Sequence, residues 1–326
     1  RFHDLSDDFK SNLDEKYFNV FNTSLKHANF IDYYSEYKLN TSNYTIYDCG
    51  NEYELNSEKY NKYKTEGKAY KITVIIPIYN NEEIIKRTLR SIEKQSFGIE
   101  NIEVLMINDC STDNTFSVIN EYANKYESFK VIHIQEGTGS PGTPRNIGIR
   151  EASAEYVIFL DHDDFFDINA LETLYNAIIS KNSDIVYGTY VSIDNQVPTK
   201  IIYPQEHHGY FENIDANPRA IAFPPPSIWT KLFKKDLLLE NNILFPTIFG
   251  EDAIFLSKAL VKASGIEYLE DTLICYHDLN DKSNTNNVTV RYLEECFVSE
   301  KYMYNMYTSI GKEEFYQKTP HLRKVK

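Results

Sequence analysis

The densest chemistry in this chain is the acidic run Asp161-His162-Asp163-Asp164, which directly follows the apolar stretch 156–160. Several carboxylates at the end of a buried strand are costly unless a cation or hydrogen-bond donors neutralise them. A divalent metal holding a diphosphate is the natural partner. Capping of the next helix by one Asp is the plainer alternative, but Asn169 with Glu172 three residues on already supplies a capping pair. A second acidic pair, Glu251-Asp252, follows Gly250 and opens a helical pattern, where free amides and the helix dipole hold negative charge; a simple N-cap is the rival there. Gly137 to Gly142 reads G-x-G-x-x-G with acids about twenty residues further on, the form of a dinucleotide loop. It contains Pro141, however, and leads into Pro144-Arg145-Asn146. Arg145 suits a diphosphate leaving group better than the pyrophosphate of NAD, so a nicotinamide-dependent oxidoreductase is the weaker reading. No G-x-x-x-x-G-K-[ST] loop exists, which excludes a P-loop NTPase.

These groups need a scaffold that brings them together. From Lys71 onward, the β-branched run 72–77 predicts a buried parallel strand, and further strands are expected at 102–107, 130–134 and 156–160. Between them, 82–95 and the stretch carrying Phe116, Val118, Ile119 and Tyr122 have helical spacing, and a short helix is expected from Pro144. Strands alternating with helices imply a parallel sheet wound by right-handed crossovers, which binds ligands beyond the carboxyl ends of its strands. The acidic and glycine-rich segments then share one rim. Beyond Asn169 the spacing predicts a helix to about 180, a strand 184–188, a hairpin to 203, a helix 252–263, strands near 266–276 and a helix from about 291. This later half is the expected acceptor side.

Composition narrows the function classes. The 326 residues are 42% hydrophobic and 25% charged, as in a packed globular chain. A net charge of -14 opposes nucleic-acid binding. The short basic tail from His321 to Lys326 could touch an anionic lipid surface, although such a tail is more often simply solvated. No apolar stretch approaches the ~20 residues needed to span a bilayer, so a soluble chain is expected. Cys49, Cys110, Cys275 and Cys296 form no C-x-x-C pair, which argues against a zinc site or a disulfide framework and for a reducing, cytoplasmic setting. The start at Arg1, with no Met and no secretory signal, reads as an excised part of a longer polypeptide. The 26 tyrosines are spread along the chain and read as compositional bias. His207-His208 reads as a solvated loop. Trp229, beside Lys231 after Pro224 to Pro226, is either a stacking platform for an acceptor sugar or a core residue.

Taken in order, Val74-Ile-Ile-Pro-Ile-Tyr-Asn80, Ile107-Asn-Asp-Cys-Ser-Thr-Asp113, Gly142-Thr-Pro-Arg-Asn-Ile-Gly148, Phe159-Leu-Asp-His-Asp-Asp164 and Gly250-Glu-Asp252 closely resemble family 2 glycosyltransferases of the GT-A fold. The likeness is to bacterial members that build capsule, lipopolysaccharide and wall teichoic acid decorations. It covers roughly residues 70–280, and its motifs are specific jointly rather than singly.

The resemblance implies an α/β fold, a Rossmann-like mostly parallel sheet flanked by helices. It makes 70–280 the catalytic domain; outside it, composition and spacing mark residues 1–69 as a polar, partly helical N-terminal extension and 281–326 as a C-terminal helical tail. It implies that Pro77, Tyr79, Asn80 and Glu82 line a nucleoside pocket and that Asp109 meets the base edge. Pro77 and Asp109 also have plain readings, as a strand end and a turn residue. Arg145 and Asn146 would contact donor ribose or phosphate, and Asp161 and Asp163 would form the D-x-D pair with Asp163 as the direct metal ligand. His162 is larger than the residue often found between such acids and would shape the sugar pocket. Asp252 would be the catalytic base, Glu251 would support the acceptor, and His277 would be a further metal ligand or a hydrogen-bonding surface histidine. The implied function is inverting transfer from a UDP-sugar, with Mg2+ or Mn2+, to a glycan or polyol-phosphate acceptor. That reaction would run in the cytoplasm at the inner face of the membrane. A catalytically silent nucleotide-binding or scaffolding domain of a larger polysaccharide-synthesis protein is the alternative.

Overall fold

A computed structural model describes residues 44–48, 51–54, 70–194, 197–200, 209–216, 227–247, 250–278 and 290–313. His207 and His208, Pro224 to Pro226, and the tail from His321 lie outside the described residues. In chain order the elements are β1 Tyr44–Asp48, β2 Asn51–Glu54, β3 Ile72–Ile78, α1 Ile85–Glu93, β4 Ile102–Asn108, α2 Thr115–Lys125, β5 Phe129–Ile134 and α3 Gly142–Glu151. They continue as β6 Tyr156–Phe159, β7 Phe165–Phe166, α4 Ala170–Lys181, β8 Ile185–Asp194, β9 Val197–Lys200 and β10 Gly209–Phe211. The last are β11 Lys231–Lys234, α5 Lys235–Glu240, α6 Glu251–Lys262, β12 Ile266–Asp278 and α7 Val290–Ser309.

All the described strands join one mixed sheet, with the main order β10-β12-β8-β11-β6-β3-β4-β5-β1-β2. β3 sits centrally, parallel to β4 on one side and to β6 on the other. The chain therefore winds outward in both directions from β3, and the topological switch point, where such sheets bind ligands, lies at the carboxyl ends of β3 and β6. Every residue of β3 is buried, as expected for a central strand covered on both faces. α3 presses onto it so closely that a methyl on Gly148 would overlap Ile75, which is why a glycine stands there. β11 enters antiparallel between β6 and β8, and the expected hairpin forms as β8 paired with β9.

Within the segment before residue 69, β1 and β2 pair with each other, and β1 pairs antiparallel with β5 at the sheet edge. The helix expected from about 291 is α7, which packs Met303 and Tyr307 against the core. The expected capping pair ahead of α4 does not form. The Asn169 side chain makes no cap bond, and the Asn169 backbone N–H donates to Asp167 Oδ1 at 3.0 Å. Glu172 accepts instead from the Ser96 hydroxyl at 2.6 Å. Gln95 Oε1 reaches across from the end of α1 to take the Leu171 amide at 3.0 Å, so a side chain distant in sequence does the capping.

Candidate active site

The rim begins where β3 and β4 end. Asn80 and Cys110 both take positive φ, 44° and 57°, and turn the two loops sharply beside each other. The loops are then laced together. The Asn80 amide donates to Ser111 Oγ at 3.0 Å, Thr112 N donates to Asn80 Oδ1 at 2.8 Å, and Asn114 N donates to Glu82 Oε2 at 2.7 Å. Asn80 and Glu82, expected to line a nucleoside pocket, are thus already the struts of that loop pair. Tyr79 projects from it, 52% exposed, with its ring open to a ligand. Asp109 is buried; its carboxylate accepts from the Thr138 amide and hydroxyl, both at 2.8 Å, and anchors the glycine-rich loop.

The acidic run after β6 is fixed from several directions. His162 Nδ1–H donates to the Pro77 carbonyl at 3.2 Å, and the His162 carbonyl accepts from Asn81 and Thr88. Arg87 of α1 donates to the Asp163 carbonyl at 2.7 Å and pairs with Asp278 at the end of β12. Asp164, part of the acidic run but given no role of its own from the sequence, is the buried member. It accepts from His277 Nδ1 at 3.0 Å and from the Asp278 amide at 3.0 Å. Burial pushes the Asp164 carboxyl up, and the His277 imidazole only partly offsets that. For His277 burial acts downward, but the hydrogen bond and charge of Asp164 outweigh it, so the imidazole holds its proton more firmly than usual. Trp229 is a core residue stacked on His277, with centroids 5.0 Å apart, and makes no open sugar platform.

Arg145 and Asn146 stand differently from the expectation. Asn146 spends both ends of its amide on Phe245, donating to its carbonyl and accepting from its amide at 2.8 Å each, so it braces the 243–247 segment. The Arg145 guanidinium is buried, and its fork holds three carboxylates: Asp161 at 2.7 Å, Asp252 at 2.8 Å and Glu251 at 2.9 Å. Burial opposes that charge, but the three carboxylates outweigh it and keep the group protonated. Gly250, with φ 81°, turns the chain into α6 so that Glu251 and Asp252 begin it. Burial, together with Glu251 and Asp161, drives the Asp252 carboxyl well above its ordinary range, with Arg145 opposing.

Lys231 was also missed as a site residue. Fully buried on β11, it donates to the Ser227 carbonyl at 2.5 Å, and burial lowers its amine to about 7. The one available signal was alternation along the strand, which puts Lys231 on the same face as the core residue Phe233.

Among the described residues no three His, Cys, Asp or Glu side chains form a ready-made metal cage. The donor set nonetheless suits a cation held partly by phosphates, which needs only one or two protein carboxylates. His277 turns Nδ1 toward the Asp164 carboxylate, the arrangement that orients a ligating imidazole and leaves Nε2 for the ion.

A family model described as Glycosyl transferase family 2 matches residues 73–260. A poly(ribitol-phosphate) beta-glucosyltransferase of Bacillus spizizenii is 35% identical over 62% of the chain and 31% of its own length. The poly(ribitol-phosphate) beta-N-acetylglucosaminyltransferase TarS of Staphylococcus aureus is 32% identical over 63% of the chain and 35% of its own. The crystal structure of S. aureus TarS residues 1–349 in complex with UDP-GlcNAc superposes with a TM-score of 0.63 at 29% identity, covering 72% of this chain and 67% of that one. The chain thus spans about a third of the length of these two curated relatives.

Proposed function

The chain belongs to glycosyl transferase family 2 and has the GT-A fold, and on that basis we propose that it is an inverting, metal-dependent glycosyltransferase. Its donor would be a UDP-sugar carrying a hexose or N-acetylhexosamine. Its acceptor would be a hydroxyl of a bacterial surface glycan or polyol-phosphate polymer of the teichoic-acid kind, as in the relatives' names. The observation that carries this reading is the joining of Asp161, from the loop after β6, to Glu251 and Asp252, at the start of α6, through one guanidinium. Donor-side and acceptor-side acids thereby meet at the rim where such sheets bind ligands.

Asp252 keeps 26% of its side chain exposed, enough to meet an acceptor hydroxyl. It would take the proton as that hydroxyl attacks the anomeric carbon from the face opposite the diphosphate, which inverts the configuration. Asp163 and His277 would hold Mg2+ or Mn2+, which when bound neutralises charge on the departing diphosphate. Tyr79 offers a face to the nucleoside, while Asn80, Glu82 and Asp109 keep the surrounding loops in shape. No described helix is long and apolar enough to cross a membrane. We place the reaction in the cytoplasm, at the inner face of the membrane, where a growing polymer would be met; the chain would work there as part of a longer polypeptide.

The test is Asp252→Asn, which keeps size and capping ability but cannot accept a proton. Sugar transfer should fall by about 10² to 10⁴-fold with UDP binding nearly unchanged, and an α-linked donor should give a β-linked product by NMR. Wild-type turnover in the variant, or retained configuration, refutes the assignment. A silent nucleotide-binding domain would release no UDP from any UDP-sugar.

A further inference from the structure

Arg145 bridges the donor-side and acceptor-side acids, and its burial indicates how it is used. Its side chain is 3% exposed, whereas Asp161, Glu251 and Asp252 retain 29%, 12% and 26%. The guanidinium therefore lies beneath the acids. Its Cζ is 5.3 Å from the centre of the Phe245 ring, and Nε–H has no hydrogen-bond partner among the described residues. Three of the five guanidinium N–H donors already hold carboxylates at 2.7–2.9 Å, and burial beneath those acids shields the remaining two from a phosphate. Resting on the reading of Asp252 as the base, we propose that Arg145 is a positioning residue for that base: it orients the Asp252 carboxylate and ties it to Asp161, and it does not grip the donor diphosphate.

The electrostatics agree with the geometry. Among the described residues the charged groups acting on Asp252 are Arg145 from α3, Glu251 from its own helix, Asp161 from the loop after β6 and Lys231 from β11. Burial, then Glu251 and Asp161, favour the protonated acid; Arg145 and Lys231 favour the carboxylate. Burial lowers the Lys231 amine to about 7, so its charge fades above neutrality. Arg145 is then the permanent positive charge that keeps Asp252 able to accept a proton.

The experiment is the pH dependence of kcat for UDP-sugar transfer, with UDP affinity by calorimetry, in the wild-type chain, Arg145→Lys and Glu251→Gln. A single ammonium cannot serve both arms of the fork, so Arg145→Lys should move the acid limb of kcat up by about 1 pH unit or more, with UDP affinity held within about threefold. Glu251→Gln removes a like charge and a competitor for Nη1, and should move the same limb down. UDP affinity lost by about tenfold or more in Arg145→Lys with the limb unmoved makes Arg145 a diphosphate ligand and overturns the proposal. A uniform drop in kcat with neither limb nor affinity changed makes it only a structural brace, and overturns it too. If Arg145→Lys does not melt cooperatively, Glu251→Gln decides: a limb that stays or rises refutes the shared-fork arrangement. Failure of the underlying reading looks different, as wild-type turnover in Asp252→Asn or no UDP release from the intact chain.

Discussion

Replacing the buried Lys231 with Met should stabilise the protein at neutral pH. Lys231 is 0% exposed, and burial lowers its amine to about 7 from an ordinary value of 10.5. Its folded pKa therefore lies below its unfolded one. Between those two values the unfolded chain holds a proton that the folded chain does not, so stability rises with pH across that window and is lost as pH falls from about 10.5 toward 7. At pH 7 a gap of about 3.5 units, at about 1.36 kcal/mol each, is a penalty on the order of 5 kcal/mol. Met has nearly the same length and carries no charge. Against that gain stand the hydrogen bonds to the Ser227 carbonyl at 2.5 Å and Thr230 Oγ1 at 3.1 Å, about 1 kcal/mol each, and the cost of leaving those acceptors unpaired, about 1 kcal/mol or more. The net expectation is a stabilisation of about 1 to 3 kcal/mol at pH 7 that disappears or reverses by pH 10. Urea unfolding of both proteins at the two pH values measures it. Equal destabilisation by Lys231→Met at pH 7 and pH 10 would mean that the amine is charged and well paired inside the fold, and the reasoning would be wrong.

Three further outcomes are expected. Gly148→Ala places a methyl into Ile75; overpacking of about 1 to 3 kcal/mol should outweigh a helix-propensity gain of about 1 kcal/mol and lower the unfolding midpoint, and an unchanged or raised midpoint refutes the tight contact. Asp163→Ala, or EDTA with the wild-type chain, should weaken UDP binding by about tenfold or more, about 1.4 kcal/mol by calorimetry; unchanged affinity in both removes the metal from the site. Deleting residues 1–69 should leave a domain that melts cooperatively and binds UDP, since the strands from β3 onward already share one continuous core among the described residues, although it bares the β5 edge that β1 covers. Loss of cooperative melting would make that segment part of the catalytic fold.

The winding of the sheet was legible before any coordinates. Runs such as 72–78 and 102–108 are apolar except at Thr73, Glu103 and Asn108, which suits a strand buried on both faces, and the helical stretches between them leave parallel pairing as the economical solution. Because ligands gather at the carboxyl ends of such strands, the acids at 161–164 and 251–252 could be placed on one rim, and their order along the chain marked the family. Partnerships among side chains were not legible. Arg145 meets Asp161 at 16 residues' separation and Asp252 at 107, which depends on how α3 and α6 are rotated over the sheet. The rotation follows from close packing, such as that of Gly148 on Ile75, and no local pattern encodes it. The same holds for Asn146, whose amide is taken up by Phe245 from 99 residues away, and for Asp164, the acid of its run that is buried against His277. Residue type announces that a carboxylate or guanidinium is present. Whether it faces solvent, a ligand or another charge is set by the packing of distant elements, where desolvation and pairing energies of several kcal/mol are decided by shifts of an ångström or two.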